Sequence, residues 1–501
     1  MKVHDKRTFL AFLIGAAVIV VVLNYVCRDI FFRLDLTDTQ MYSLSGSSKA
    51  VIGKLDDRLI LKVYFTENLP GQYGNNRRYL QDLLEEYEAF SDGKIRFEIY
   101  KPESDEALTQ EARRYGIQPV QLQVIENDKL EVKRVYMGMV FLYGDARATL
   151  PVIQTTTGLE YDITTEIKRL VDKDKRTIGF AATDGEEAGN QNIWNVLGQS
   201  YNVTVVDLDT EIPEDIPLLL MSGVEDSLST EALIHLQAFM DRGGNLFIAQ
   251  SRVKADLQTQ VGSPIESNVF GFLEEMGFAL KENLVVDQRC SHITVTQQRG
   301  IFRMNSQVEY PFFPLIQEFG DHLTVNGLEQ VRFLFSSEIV LNRSDSLSIL
   351  VTPLFVTSNR SGTVSERYNL SPVDNPSFRN TNQQGKVVGA LSAVKSASTA
   401  NVSQVILVGD SFFFDDGGGG AFQENFLFVA NAVDFLMGDS DLVALRSREI
   451  TTRPLAVLQD AERATWKWLN IFLPPILIIG YGMFRWRREL ARARFLEALY
   501  G

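Results

Sequence analysis

Two acidic stretches have the residue types for chemistry. In "TDGEEAG", Asp184, Glu186 and Glu187 follow an apolar run; in "GDSFFFDDGGGG", Asp410 and Asp415 flank three phenylalanines ahead of a glycine run. Carboxylates at the carboxyl end of a strand stand where α/β sheets place ligands. A hydrolase built on them needs two carboxyls facing one substrate, one with a raised pKa. Asp410 and Asp415 could instead hold a cation, although calcium takes more oxygen ligands than this loop offers. The simpler readings are structural: a solvated acidic loop around Asp184, and after Asp415 a flexible turn into a helix beginning near Glu424.

Other reactive residues lack partners at useful spacing. Ser222, in "LLLMSGVED", is on a turn suited to a nucleophile, but the nearest histidine, His235, lies within the following amphipathic helix. His4, His235, His292 and His322 are scattered without metal-ligand spacing. Cys27 and Cys290 form neither a disulfide framework nor a redox pair. Gly243-Gly244 reads as a helix C-cap, and Glu85, Glu86 and Glu88 as the solvated face of a helix or a docking surface. No catalytic, cofactor-binding or metal residue is assigned, and no cofactor is expected. The chain has no G-x-x-x-x-G-K-[ST] phosphate loop, which argues against an ATPase. A net charge of −15 argues against a nucleic-acid partner.

The 501 residues allow two to four domains, and 45% hydrophobic with 23% charged residues is a folded composition. Phe9 to Val26 is uncharged and about 18 residues long, enough to span a membrane. Lys2, Lys6 and Arg7 precede it, so the N-terminus is expected in the cytoplasm. A second apolar stretch, Leu469 to Phe484, is bracketed by Trp466, Trp468 and Trp486 and followed by Arg485, Arg487, Arg488, Arg492 and Arg494. These residues predict a hairpin topology with both termini inside and the large middle outside.

The middle reads as two α/β domains. "RLILKVYF", the amphipathic "NNRRYLQDLLEEYEAF", "KIRFEIY", "DEALTQEARRYGI" and a strand meander follow the order of a thioredoxin-like unit, without cysteines at the redox position. After the polar helix "GLEYDITTEIKRLV", short apolar strands such as "PLLLM", "NLFIA" and "QVILVGD" alternate with helices, as in a flavodoxin-like parallel sheet covered on both faces. Between Arg252 and Val402 the texture becomes polar and strand-rich. Within that block, "TSNRSGTVSERYNLSPVDNPSFRNTNQQGK" reads as a long mobile loop.

The ordered set "RLDLTDTQMYSLS", "GLEYDITTEIKRL", "IGFAATDGEEA", "LSTEALIHLQAFMDRGGNLFI" and "VGDSFFF…NFLFVANAVDFLMGDSDLVALRSREITTRPL" resembles the GldG-type auxiliary subunits of ABC transporters, a group first named for gliding motility. The resemblance implies a glutamine-amidotransferase-like second ectodomain, an ABC-2 multi-spanning permease partner and a separate cytoplasmic ATPase. Relatives often carry Gly-His-Gly-Glu where this chain has Thr183-Asp184-Gly185-Glu186, so no histidine chemistry carries over.

The expected organisation starts with a membrane anchor over 1–27, a thioredoxin-like ectodomain over 28–157 and a linker helix within 158–176. A glutamine-amidotransferase-like ectodomain then covers 177–445, with its insertion at about 253–402. A juxtamembrane segment (446–465), a membrane helix (466–488) and a basic cytoplasmic tail (489–501) close the chain. The expected function is a non-enzymatic accessory subunit in the bacterial inner membrane, contacting lipid, permease and an envelope protein or glycan ligand from the periplasm. The alternatives are an anchored hydrolase acting on glycan or peptide, and a scaffold without a transporter.

Overall fold

In the computed structural model the apolar run Leu59–Phe65 forms strand β1, with Leu59, Leu61 and Val63 fully buried. The structure describes residues 43–449 and 460–500, apart from 68, 70–72, 127–128, 157, 173–174, 183–189, 300–301, 343–348, 380 and 382–383. The expected anchor over 1–27, with Cys27 and His4, lies outside the described residues, as do Asp184, Glu186 and Glu187.

β1 pairs in parallel with β2 (Ile95–Tyr100) and antiparallel with β5 (Met137–Tyr143), which pairs antiparallel with β6 (Ala146–Leu150). The sheet order is β2-β1-β5-β6. The hairpin of β3 (Val120–Glu126) and β4 (Lys129–Val135) stands apart from that sheet. Helix α1 (Gly46–Gly53) begins at the cap Ser45, whose hydroxyl accepts from the Ser48 amide. Helix α2 (Asn76–Phe90) buries Leu80, Leu83, Leu84 and Tyr87, the stripe its periodicity predicts. Glu86, expected on the solvated face, is buried instead because it follows Leu83 by three positions on the inward side. Helices α3 (Glu106–Arg114) and α4 (Leu159–Val171) complete this part.

The second sheet has eight strands. Its parallel portion runs β8 (Asn202–Val206), β7 (Thr177–Ala181), β9 (Leu218–Ser222), β10 (Asn245–Ala249) and β23 (Val402–Val408). Alternate residues face two cores, as expected for strands covered on both sides. Leu218, Leu220, Phe247, Ile406 and Val408 face helices α5 (Gln191–Leu197) and α8 (Gln423–Leu436). Leu219, Met221, Leu246, Ile248 and Leu407 face α6 (Thr230–Asp241) and α7 (Val269–Glu275). Ser229 caps α6 by accepting from the Ala232 amide at 2.9 Å.

The polar block joins the second sheet. Its strands β17 (Glu318–Phe319), β20 (Ile349–Val356) and β22 (Val387–Lys395) extend the same sheet through antiparallel pairing with one another and with β23. Smaller pairs join β11 (Val253–Asp256) to β12 (Val261–Pro264), β13 (Phe278–Leu280) to β19 (Ile339–Leu341), and β14 (Leu284–Asp287) to β21 (Ser361–Val364). β15 (Cys290–Arg299) and β16 (Phe302–Ile316) form a long hairpin, and β18 (Val331–Arg332) pairs with β16. The stretch expected to be a mobile loop is largely ordered. β21 lies in it, Tyr368 and Leu370 are buried, and Asp287 accepts from the Ser358 amide and hydroxyl at 2.7 and 2.6 Å. Its polar residues close local turns, which is why they show no periodicity.

The chain divides into two units after Ile450. The first closes with α9 (Ser440–Glu449), a helix that runs across the boundary expected at 445–446. The second contains α10 (Asp460–Tyr500), which holds Pro474 and Pro475 within it. Its portion Thr465–Ala491 is 27 residues long and contains an 18-residue stretch of mean hydropathy 1.3, long and apolar enough to cross a membrane.

Candidate functional site

The carboxylates of "GDSFFFDDGGGG" serve the fold. Asp410 is fully buried, and its two oxygens accept from the amides of Leu334 and Phe412, each at 2.8 Å. Asp415 accepts from the Gly417 amide at 2.6 Å. Asp416 accepts from Gln191 and Asn192 at 3.0 and 2.8 Å, capping the start of α5. The glycines fold back onto the phenylalanine run: Gly419 donates to the Phe412 carbonyl at 2.8 Å. A Cβ on Gly418, Gly419 or Gly420 would strike the carbonyl oxygens of Phe412, Phe413 and Phe414, so glycine is required by close approach. The turn after Asp415 is therefore a packed one, not a flexible one.

The same region closes the usual ligand crevice at the carboxyl ends of β10 and β23. The segment Leu334–Ser337 lies across it. The Ser337 amide donates to the Gly409 carbonyl at 2.7 Å, and the Arg252 amide donates to the Ser337 hydroxyl at 2.9 Å. Ser251 and Ser411 bond each other's hydroxyls at 2.8 Å beneath it. Buried Phe335 takes φ 50°, a conformation that a bulky residue keeps only where its surroundings impose it.

Burial, opposed by the two backbone amides, pushes the Asp410 carboxyl up to about 7. Its folded pKa then exceeds its unfolded one, so the folded state binds more protons between the two values. Asp410 is expected to reduce stability as pH rises from about 4 to about 7, by on the order of 1.4 kcal/mol per unit at most, and to add no slope above that. Urea melts across this range, compared with Asp410→Asn, check it: the difference between the two proteins should vary with pH below 7 and level off above.

The other sequence candidates lie apart from this loop. Ser222 ends β9, and His235 bonds the Leu208 carbonyl through Nδ1 at 2.9 Å. Burial pushes the Cys290 thiol up to about 11, away from thiolate chemistry. Gly243, at φ 94°, and Gly244 close the end of α6 by donating to Met240 and Phe239. Among the described residues, no group of three or more His, Cys, Asp and Glu side chains is placed to hold a metal ion.

A different place gathers functional groups: the seam where α4 meets α8 and α9. Arg446 of α9 donates to Asn431 Oδ1 at 2.6 Å and to Asp434 Oδ2 at 2.8 Å, and also to the Tyr161 hydroxyl of α4. Its guanidinium stacks 4.3 Å from the Tyr161 ring centroid. Tyr201 donates to the other Asp434 oxygen at 2.8 Å. Burial raises the Asp434 carboxyl above its usual range, and the Arg446 charge opposes that. Burial first, then Asp434, raises the Tyr201 hydroxyl, which remains a donor. One turn on, Asp439 receives Lys168 of α4 at 2.8 Å and also Arg176.

Around this cluster opens a cleft of about 810 Å³, lined by β6, the outer face of α4, residues 175–176 and Tyr201. No sequence motif marked it, because its members come from segments as far apart as Arg147 and Leu442. The one available signal was the amphipathic "GLEYDITTEIKRLV", whose charged residues needed a partner surface.

A family model described as an "ABC-type uncharacterized transport system" matches residues 175–438, more than half of the 501 residues. The chain belongs to this family. Membership in this ABC transport family gives it an accessory role in ABC transport, and the apolar helix Thr465–Ala491 fits the membrane association that role implies. Residues 38–142 of this ABC transport protein match a second model, a domain of unknown function. A Borreliella burgdorferi protein described as uncharacterized is 23% identical over 484 residues, covering 91% of this chain and 93% of the relative. Among solved structures, the mmIFT52 N-terminal domain covers 52% of the chain and 96% of its own length at 13% identity and a TM-score of 0.34. PurLQS from Thermotoga maritima covers 52% and 100% at 9% identity and 0.21. Scores this low carry no argument about a shared fold.

Proposed function

We propose that this chain is a non-catalytic accessory subunit of an ABC-2-type transporter, with both termini in the cytoplasm and residues 28–465 outside the inner membrane. Its terminal helices pack on a multi-spanning permease driven by a separate ATPase, in the manner of GldG-type subunits. The outside domains receive a substrate or envelope partner.

The observation that carries this reading is the meeting of the two ends of the first unit. α1, the first described helix, and α9, the last before the membrane helix, pack on each other and on α4. The Ser45 amide and the Ser48 hydroxyl donate to Glu160 of α4 at 2.8 and 2.6 Å, and Arg446 of α9 donates to the next residue of α4, Tyr161. In this reading the two ends of the chain that lead to the membrane meet at one seam. The order β2-β1-β5-β6 supports a thioredoxin-like first domain. The parallel order β8-β7-β9-β10-β23 is the 2-1-3-4-5 arrangement of flavodoxin-like sheets and supports an amidotransferase-like second one.

An anchored hydrolase using Asp184, Glu186, Asp410 and Asp415 is the weaker reading, since both Asp410 oxygens and Asp415 Oδ1 accept from backbone amides. Purification of the full chain from its native membrane in mild detergent is the test. A permease and an ATPase are expected in the same complex; a chain that elutes alone overturns the proposal.

A further inference from the structure

β6 is an edge strand of its sheet, and its residues Ala146, Arg147, Ala148 and Thr149 line the 810 Å³ cleft. The two-residue turn Gly144-Asp145 makes Tyr143 and Ala146 the closing pair of the β5–β6 hairpin. Hydrogen bonding alternates along an antiparallel ladder, so Arg147 and Thr149, two and four positions beyond Asp145, turn their N–H and C=O groups away from β5. No backbone group among the described residues pairs with those amides. An unpaired edge is normally covered or guarded by charge. Here the strand borders a cavity.

The cleft is also charged against the rest of the molecule. Arg147, Lys168, Arg169, Lys175 and Arg176 line it, against Glu166, Asp172 and Asp434, in a chain whose net charge is −15. Lys168 and Arg176 share Asp439, and Arg169 pairs with Glu166 at 2.7 Å. Lys175 has its amine on the Gly198 carbonyl at 2.8 Å, and Arg147 is exposed. Burial and then the Arg169 charge lower the Lys175 pKa, against the Glu166 charge.

We propose that this cleft receives an extended, acidic polypeptide segment, which adds along β6 as a further strand of the first sheet. Main-chain hydrogen bonds to Arg147 and Thr149 supply affinity, and the cationic wall selects acidic side chains. The proposal rests on the accessory-subunit reading, because it specifies the kind of partner the outside domains take.

The test uses the full chain in nanodiscs and a fluorescein-labelled decapeptide of alternating valine and glutamate. Controls are the valine–lysine counterpart and a valine–glutamate peptide N-methylated at every amide. Anisotropy should show the acidic peptide binding at least about tenfold more tightly than the basic one, and the N-methylated peptide losing binding. Amide exchange should slow over 146–150. Arg147→Glu, an exposed change that leaves the fold intact, should weaken binding by about tenfold. No binding of the acidic peptide, equal binding of either control, or protection elsewhere overturns the proposal. A permease that co-purifies while no peptide binds removes only strand addition; peptide binding by a chain that purifies alone removes only the transporter.

Discussion

Arg446→Ala is expected to destabilise the first unit by about 3–5 kcal/mol, because it leaves the Asp434 carboxylate buried without its cation. The side chain joins three elements at once: α9 carries it, α8 supplies Asn431 and Asp434, and α4 supplies Tyr161. Only the Tyr201 hydroxyl would remain on Asp434. The loss has two parts, an unpaired buried charge and a missing strut between α9 and α4. The double change Arg446→Met with Asp434→Leu separates them, since apolar groups of similar volume remove the charge problem. Urea melts of the nanodisc-embedded chain should show most of the stability returning in the double variant. If the seam also relays movement, transport-coupled ATPase stimulation in the purified complex should stay low in that variant despite its recovered stability.

The second large effect belongs to the phenylalanine run. Phe414→Ala is expected to cost about 3–5 kcal/mol, the usual range for emptying a core aromatic site. Phe414 is fully buried at the carboxyl end of the parallel sheet, edge-on to Phe247 at 4.9 Å and to Phe180 at 5.8 Å. The neighbourhood cannot collapse to fill the gap. The backbone of residues 412–414 is clamped by the glycine run, and Phe413 is engaged with Phe333 and Phe428. Phe414→Leu should recover part of the loss. A Phe414→Ala protein with an unchanged urea midpoint would contradict this account.

What was legible in the chain was whatever neighbouring residues encode together. The stripe Leu80, Leu83, Leu84, Tyr87 predicted a helix buried on one side, and all four are in the core. "PLLLM", "NLFIA" and "QVILVGD" predicted strands covered on both faces, and Leu219 and Leu220 do face opposite cores. Ser229 declared its helix start through the spacing to Ala232. The run Leu469 to Phe484 by itself declared a helix able to cross a membrane, because length and apolarity are local properties.

The tertiary structure decided what those elements are for. Nothing near Arg446 in sequence indicates that its partners are Tyr161 and Asp434, since one contact spans 285 positions and the other 12. That β17, β20 and β22 of the insertion extend the main sheet was not legible, because β22 reaches that sheet only by pairing with β23. Asp410 looked like a ligand group and became a buried anchor only when Leu334 folded across it. Side-chain periodicity records which face is buried, whereas long-range pairing depends on loop closure between segments that carry no mark of each other.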